Sequence, residues 1–345
     1  MTPRERWLSL LNNETPDRIP TDYWATPEVT QRLMRDLHCA DLDALFDRLH
    51  IDLPDRIMPI ENFGPGSPDQ WGITYRDMAY ETGVYREPAD HPLAEFTSVE
   101  QIHNYSWPNP HDLDWDAFRA KIKAVSGQRI VRCGHYEPFL LHCFLRGMEQ
   151  AMVDLVAEKE IAHAILDHIF DYCYAVNERA FDTGHGIIEL TLLAEDLGSQ
   201  QGLLIGIDQV REFLLPKQKK MADLARSHGI HIFYHTDGAA REVIPDLIEV
   251  TGIEILNPIQ WRCPGMEREG LVRDFGDKVI FHGAVDNQHT LAFASEDDVR
   301  KEVLDNIHIF ENAHWICAPC HNIQPVSPTE NIVAMYETIW RNGKL

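Results

Sequence analysis

Polar side chains that can bind a metal ion or transfer a proton follow six short apolar runs of this sequence, five of them in its second half. Short apolar runs that alternate with helical patterns are typical of parallel β-strands. Because the carboxyl ends of parallel strands lie on one face, these side chains are expected to converge on a single pocket, which predicts an enzyme. In chain order they are His135 and Glu137, Glu195 and Asp196, His235 and Asp237, Asn257 and Gln260, His282 and Asp286, and Cys320 and His321.

The sequence His235-x-Asp237-Gly238 is the strongest candidate for chemistry. An imidazole and a carboxylate two residues apart at the end of a strand can bind a cation or act together as an acid and a base. The consecutive acids Glu195 and Asp196 are two further catalytic candidates. Neighbouring side chains on a strand point to opposite faces, so one of these two acids is expected to face the pocket while the other has a structural role.

The composition argues against several classes of partner. A formal net charge of -24 would repel nucleic acid and anionic membranes. The sequence has no run of about 18 apolar residues that could span a bilayer, and its first residues form an amphipathic helix without the apolar core of a signal peptide. Seven cysteines without paired spacing suit a reducing compartment. We therefore expect a cytoplasmic protein that binds neither nucleic acid nor membrane, and the sequence leaves a homodimer open.

The order of the apolar patterns predicts an α/β fold, a (β/α)8 TIM barrel. Strand and helix patterns alternate over 116–345, which indicates βα units and parallel pairing. A doubly wound sheet is the competing architecture, but it ordinarily carries a glycine-rich phosphate turn, and neither G-x-G-x-x-G nor G-x-x-x-x-G-K occurs. All 345 residues are expected to form one barrel domain.

Residues 1–115 are expected to form an N-terminal helical extension and a β-hairpin insertion. Apolar residues at helical spacing in 3–14 and 27–49 predict helices that seal one end of the barrel. Two strand-like runs at 71–76 and 83–87 predict a hairpin near the barrel mouth.

A series of short motifs occurs over nearly the whole chain in the order found in one superfamily. They are Asp17-Arg18-Ile19-Pro20, Trp71-Gly72-Ile73, Gly83-Val84-Tyr85, His91-Pro92-Leu93, Asp196-Leu197-Gly198-Ser199-Gln200, His235-x-Asp237-Gly238, Asn257-Pro258-Ile259-Gln260, the run from Phe281 to Asp286, and the run from Pro328 to Met335. With these motifs the chain resembles the uroporphyrinogen decarboxylase superfamily, and specifically its branch of corrinoid-dependent methyltransferases. Each motif is weak alone, and their order carries the resemblance.

Two departures from the family pattern bear on the expected chemistry. Porphyrinogen-decarboxylating members have an arginine-bearing P-R-Q-A-G-R segment where this chain has residues 19–24, so porphyrinogen decarboxylation is not expected. The thiol-alkylating members have a zinc site of the form H-x-C with a distant cysteine. Here His235-x-Asp237 stands at the first part and His321 at the second, with Cys320 one residue away. The resemblance thus implies a metal site of His235, Asp237 and His321, or of Cys320 through a one-residue shift.

A carboxylate and an imidazole in place of two thiolates make a harder site, suited to zinc or another divalent metal. Such a site suits methoxy or methylamine-like methyl donors better than it suits thiol acceptors of the methyl group. The resemblance therefore implies a methyltransferase that moves a methyl group from a small substrate of this kind to a corrinoid (cobalamin) on a partner protein. The same residues could also work without metal, with Asp237 or Glu195 as the acid and His235 or His321 as its partner.

Several side chains are candidates for contacts with the substrate. A Gly/Pro-rich loop at 63–68 and the predicted hairpin are expected to form a wall of the pocket. The expected substrate contacts are Trp71, Tyr85, Gln260, His282, Asp286 and Gln324. A decarboxylase or lyase on the same barrel, and a noncatalytic small-molecule or corrinoid-binding protein, stay open as alternatives.

Overall fold

The computed structural model describes residues 1–59, 67–80 and 83–345 and contains a curled parallel β-sheet covered by helices. The predicted loop at 63–68 lies outside the described residues over 63–66. The strands are Asp55–Arg56 (β1), Tyr75–Tyr80 (β2), Gly83–Pro88 (β3), Val131–Tyr136 (β4), Leu190–Ala194 (β5), His231–His235 (β6), Ile255–Ile259 (β7), Ile280–Val285 (β8) and Trp315–Pro319 (β9). Seven of them pair in parallel in the order β1-β4-β5-β6-β7-β8-β9, and β2 pairs with β3 as the antiparallel hairpin.

Helices connect the strands, as expected for βα units. They are Pro3–Leu11 (α1), Pro27–Asp36 (α2), Leu42–Leu49 (α3), Val99–His103 (α4), Trp115–Lys123 (α5), Pro138–Arg146 (α6), Met148–Ala157 (α7), Lys159–Thr183 (α8), Ile207–Gln209 (α9), Leu215–Ser227 (α10), Ile244–Asp246 (α11), Arg268–Phe275 (α12), Thr290–Phe293 (α13), Glu296–Ile309 (α14) and Thr329–Asn342 (α15). A 3₁₀ turn at Pro110–Asp112 and π-helical turns at Val210–Leu214 and Leu247–Thr251 complete the set.

The strands begin later than the apolar runs that predict them. The sequence predicts a strand over 187–193, but the strand forms only from Leu190, because the N–H groups of Ile187 and Ile188 donate to the carbonyl of Gly184 at the end of α8. The sequence also predicts a helix over 145–183, but this stretch is divided, since Gly147 has a φ of 84° and separates α6 from α7. Hydrophobic periodicity alone does not reveal where backbone hydrogen bonds and turns end a helix.

The prediction of eight strands is met in part. Seven regular strands form the sheet, and a short extended segment lies between its two edges. Cys317 in β9 donates to the carbonyl of Pro20 at 2.9 Å, and Asp22 donates to the carbonyl of Cys317 at 3.0 Å. On the other side of the segment Asp52 donates to the carbonyl of Thr21 at 3.0 Å. Pro20 has no N–H to donate, which limits how far a regular ladder can extend here.

One end of the sheet interior is packed against α1. Trp7 and Leu10 of this helix belong to the same buried cluster as Phe233 and the apolar residues that begin the inner strands. The remaining buried residues form a larger cluster between the sheet and the outer helices. Polar side chains at the opposite, carboxyl-terminal end of the strands are therefore separated from solvent on the α1 side. Among the helices of the described ranges, none has both the length and the apolar composition to cross a membrane.

Candidate functional site

Three side chains at the ends of β5 and β6 lie together. His235 is the last residue of β6, Asp237 follows it, and Asp196 follows β5. Asp196, His235 and Asp237 each offer a ligand atom, and these atoms lie within 4.8 Å of one another. His235 Nε2 is 3.4 Å from Asp196 Oδ1 and 3.8 Å from Asp237 Oδ1. We call these three residues the acid–histidine cluster.

Close packing of two loops holds the cluster together. Gly198 follows Asp196, and a Cβ atom at Gly198 would lie 2.2 Å from the carbonyl oxygen of Asp237. Gly238 has a φ of 71°, and a Cβ atom there would likewise clash with the carbonyl oxygens of Gly198 and Ser199 in the loop after β5. The loops are joined by a hydrogen bond from the Ala239 N–H to the Ser199 carbonyl at 2.8 Å. Two glycines therefore allow the carboxylates of Asp196 and Asp237 to approach one imidazole.

The cluster shifts the proton affinity of its members. Burial lowers the pKa of His235, but the nearby Asp196 carboxylate, the charge of Asp237 and the contact with Asn257 raise that pKa to about 9. Burial raises the pKa of Asp237, against the opposing charges of His235 and His321. Burial also acts to raise the pKa of Asp196, but its interaction with His235 prevails and lowers it. A cation or a proton therefore balances the two carboxylates.

An open cavity of about 720 Å³ lies above the cluster. Asp196 and Asp237 line it, together with the predicted residues Gln260, His321 and Gln324. His321 Nε2 lies 3.4 Å from Asp237 Oδ2, so His321 reaches the cluster through Asp237. A cavity of this size at the carboxyl ends of parallel strands is a usual place for a small-molecule site.

The cluster fits a divalent cation. Among the described residues, Asp196 Oδ1 and Asp237 Oδ1 are buried and have no hydrogen-bond partner. Buried carboxylate oxygens without a partner are costly, and a bound cation satisfies them. Two carboxylates and one imidazole are a ligand set that zinc, iron or manganese accepts.

The two consecutive acids point to different surroundings. Glu195 is fully buried, and its carboxyl group accepts from the Phe139 N–H at 3.0 Å and from Gln218 Nε2 at 3.3 Å. Burial, with the charge of Glu137, raises the pKa of Glu195 well above its ordinary value. The structure thus places Glu195 behind the strand, at the start of α6, while Asp196 joins the cluster.

Cys320 does not lie with the cluster. Its buried Sγ donates to the carbonyl oxygen of Ile259 at 3.0 Å, and burial raises the pKa of the thiol well above its ordinary value. All seven cysteines are free thiols. A buried protonated thiol is a poor metal ligand, because the thiolate is the form that coordinates.

His282 and Asp286 are placed away from the cavity. His282 lies within β8 and is fully buried, with its ring nitrogens against Asn257 and Asp22. Asp286 accepts from Arg262 Nε at 2.6 Å and from N–H groups of the loop that follows it. Neither is among the described residues that line the cavity.

The two aromatic candidates are also separated from the cluster. Trp71 is buried and lines a second cavity of about 340 Å³ with His135 and Glu137 at the end of β4. Tyr85 lies on β3 of the hairpin and is 62% exposed. Substrate contacts at either residue stay predictions.

Of the residues behind His235, sequence reasoning named Asn257 only as a polar residue of a strand end and missed Asp22 and Trp24. Asn257, Asp22 and Trp24 contact His235 directly or through His282. The signal for Asp22 and Trp24 was the departure from the family pattern at residues 19–24, where these two residues lie in place of an arginine-bearing segment. That departure pointed to a loss of porphyrinogen binding and did not indicate what the new residues contact.

Comparisons with known proteins agree with this architecture. A methyltransferase from Methanosarcina mazei has a similar structure, with a TM-score of 0.70, 15% sequence identity and coverage of 99% of both chains. A B12-independent methionine synthase from Shewanella sp. W3-18-1 is 10% identical with a TM-score of 0.42, over 78% of this chain and 75% of that one. At these identities the first similarity shows the fold alone, and the second is too low to carry an argument.

The family can be assigned from the sequence match. No curated protein sequence matches the chain. The family model of uroporphyrinogen decarboxylase (URO-D) matches residues 78–341, which are most of the chain, and so confirms the resemblance drawn from the motifs. The chain therefore belongs to the uroporphyrinogen decarboxylase family.

Proposed function

We propose that this protein is a methyltransferase that moves a methyl group from a small methoxylated or methylamine-like substrate to a corrinoid carried by a partner protein. The observation that carries the proposal is the acid–histidine cluster, whose two carboxylates line the cavity of about 720 Å³. A pocket of this size has room for a small aromatic ether or an amine. The fold shared with the Methanosarcina mazei methyltransferase is compatible with this function.

Asp196, His235 and Asp237 would hold a divalent cation, with zinc as the first candidate. When bound, the cation supplies a Lewis acid that withdraws electrons from the leaving oxygen or nitrogen of the substrate. The three residues contain no thiolate. The site is therefore harder than a thiolate-rich zinc site, and it suits oxygen and nitrogen leaving groups better than sulfur.

His321 and the cavity wall supply the remaining requirements. The His321 ring lines the cavity beside Asp237, where it can deliver a proton to the leaving group. The carbon–oxygen bond would break with its electron pair left on oxygen, which would take that proton. The methyl group would pass to the reduced, Co(I) corrinoid of the partner protein, which would supply both electrons of the new cobalt–carbon bond. Phe139 and Leu204 make part of the wall apolar, which suits the hydrocarbon part of a substrate.

One observation favours a decarboxylase or lyase as the second candidate. The pKa of His235, raised to about 9 by its carboxylate neighbours against the effect of burial, makes the ring an imidazolium near neutral pH when no cation is bound. An imidazolium in a buried site can protonate a carbanion. Uroporphyrinogen is not the expected substrate, because residues 19–24 contain no arginine to grip its carboxylates.

The test combines metal analysis with an assay of methyl transfer. The purified protein should contain bound zinc or another divalent metal, and it should form methylcobalamin, read by absorbance, from reduced cobalamin and a member of a panel of methoxy aromatics and methylamines. His235→Gln should lower turnover by about 10²-fold or more. The matched control is His308→Gln, at a histidine that is 81% exposed. Metal-free protein that transfers no methyl group from any donor would support the lyase instead.

A further inference from the structure

A line of buried polar side chains runs from the acid–histidine cluster into the interior of the sheet. His235 Nδ1 lies 2.6 Å from Asn257 Oδ1, and Asn257 Nδ2 lies 2.6 Å from His282 Nδ1. His282 Nε2 then lies 2.9 Å from Asp22 Oδ2. Asn257, His282 and Asp22 are each no more than 1% exposed. Water therefore has little access to this line. Each polar N–H group in it must donate to a neighbouring side chain of the same line.

The chemistry of the groups sets the direction of every hydrogen bond. A carboxylate only accepts, so His282 Nε2 donates to Asp22. An amide nitrogen only donates, so Asn257 Nδ2 donates to His282 Nδ1, which carries no proton. The remaining amide oxygen of Asn257 only accepts, so His235 Nδ1 donates to it. In its neutral form His235 therefore carries its hydrogen on Nδ1 and keeps the lone pair on Nε2.

The segment between the sheet edges holds Asp22 in this arrangement. Trp24 Nε1 donates to Asp22 Oδ2 at 3.0 Å, and the Tyr23 N–H donates to Asp22 Oδ1 at 2.7 Å. The Trp24 ring also stacks on the His235 ring, with centroids 5.5 Å apart and an interplanar angle of 27°. Asp22 and Trp24 both belong to the segment that departs from the family pattern. The residues found there in place of the arginine-bearing segment therefore support the His235 ring from behind.

We infer that Asp22, His282 and Asn257 are positioning residues that select the Nδ1–H tautomer of His235 and so direct its Nε2 lone pair toward a cation between Asp196 and Asp237. This inference rests on the proposed function, because it assigns the lone pair to the cation that the proposed methyltransferase uses. Loss of the carboxylate leaves the line without a fixed direction. An amide at position 22 has only one oxygen for the N–H groups of Trp24 and Tyr23, so it can turn either its oxygen or its nitrogen toward His282 Nε2. In the second orientation each partner exchanges its role and His235 carries its hydrogen on Nε2.

The experiment compares the unchanged protein with Asp22→Asn, Asn257→Asp and the double variant. Zn²⁺ affinity is measured by competition with a chromophoric chelator, and the His235 tautomer is read from ¹⁵N-histidine NMR of the metal-free protein at pH 10. The unchanged protein should show His235 protonated on Nδ1. Asp22→Asn should weaken Zn²⁺ binding by about 10- to 100-fold, the range found for groups that orient a metal-binding histidine. Its spectrum should show a share of the Nε2–H form that the unchanged protein lacks. Glu28→Gln is the control for charge, since Glu28 is an exposed acid at the start of α2.

The Asn257→Asp background shows whether Asp22 acts on His235 through the line of hydrogen bonds or only affects its own surroundings. A carboxylate at position 257 accepts from His235 Nδ1 whatever Asp22 does, so in this background Asp22→Asn should change Zn²⁺ affinity by less than about twofold. An equal loss in both backgrounds would overturn the inference, as would an Nε2–H tautomer in the unchanged protein, a reading that needs no variant to fold. Failure to form methylcobalamin from any donor would overturn the proposed function and leave the tautomer result standing.

Discussion

Asp196 is the residue whose position most alters the expected site. The family resemblance implied His235, Asp237 and His321 as metal ligands. The structure instead groups Asp196 with His235 and Asp237, and it brings His321 only to Asp237. Two acids that flank one imidazole make a more compact ligand set than the one predicted.

A comparison of two substitutions tests which set binds metal. Asp196→Asn removes a buried carboxylate oxygen that has no hydrogen-bond partner in the described part of the chain, so Zn²⁺ affinity should fall by about 100-fold or more. His321→Gln should lower affinity by less than about tenfold. Isothermal titration of the metal-free proteins measures both. The opposite order of losses would restore His321 as the ligand and reduce Asp196 to a neighbour.

The pKa of His235 makes a second prediction at this scale. Burial lowers that pKa, but Asp196, Asp237 and Asn257 raise it to about 9, from 6.5 for an ordinary histidine. A raised folded-state pKa stabilises the folded protein fully below pH 6.5, and this contribution disappears as the pH rises through 9. At about 1.4 kcal/mol per pH unit it amounts to about 3 kcal/mol.

Urea unfolding of the metal-free protein at pH 6 and pH 10 measures this loss. His235→Gln should remove about 3 kcal/mol of the difference in the free energy of unfolding between the two pH values. The same pH dependence in the variant and in the unchanged protein would show that other groups are responsible.

The loops after β5 and β6 act as one element. Each supplies a carboxylate to the cluster, and they contact through Gly198 and Gly238. Helix propensity and strand patterning do not determine this contact, since it depends on how closely two backbones can approach. The geometry of the site is therefore a property of the pair of loops.

Gly198→Ala tests this close approach. A Cβ atom there would lie 2.2 Å from the Asp237 carbonyl oxygen, so the two loops must separate. We expect the free energy of unfolding to fall by about 1 to 3 kcal/mol, as in overpacked sites, and Zn²⁺ affinity to fall with it. Gly202→Ala is the matched control in the same loop, because a Cβ atom there meets no atom within 4 Å. Equal effects of the two substitutions would contradict the close-contact explanation.

At the scale of the whole molecule, the sheet interior is apolar at one end and polar at the other. Trp7 of α1 and the first residues of the inner strands fill the apolar end. The line from Asp22 to His235 occupies the interior toward the other end, below the cavity. Helix α1 thus closes the end opposite the cavity, and its packing supports the whole barrel-like arrangement.

Trp7→Ala should therefore destabilise the entire protein. The indole is fully buried, and removal of a buried aromatic side chain costs about 3 to 5 kcal/mol. Trp7→Phe should cost less, because Trp7 Nε1 has no hydrogen-bond partner among the described residues. Leu42→Ala, at a side chain that is 47% exposed, is the surface control and should cost less than about 1 kcal/mol. Chemical unfolding measures all three, and a Trp7→Ala loss no larger than the control would show that α1 only covers the surface.

Much of the architecture could be predicted from local patterns. The alternation of apolar runs with helical periodicity indicated parallel βα units, and the motif order indicated the family that the match over residues 78–341 confirms. The first signal depends on residues near one another in the sequence, and the second on the order of short motifs along the chain. The ends of the elements were less accurate, as at Ile187, because hydrogen bonds at the end of α8 decide where β5 begins.

The sequence by itself determined that acids and imidazoles would follow the strands, because a polar residue after an apolar run is local information. Only the tertiary structure decided which of them meet. Glu195 and Asp196 differ by one position on the chain, and the strand geometry sends one to the start of α6 and the other to His235. Asp22 reaches His282 across 260 positions only because the curled sheet brings its two edges to the same short segment. No pattern within either segment specifies such a contact, since it follows from the closure of the sheet.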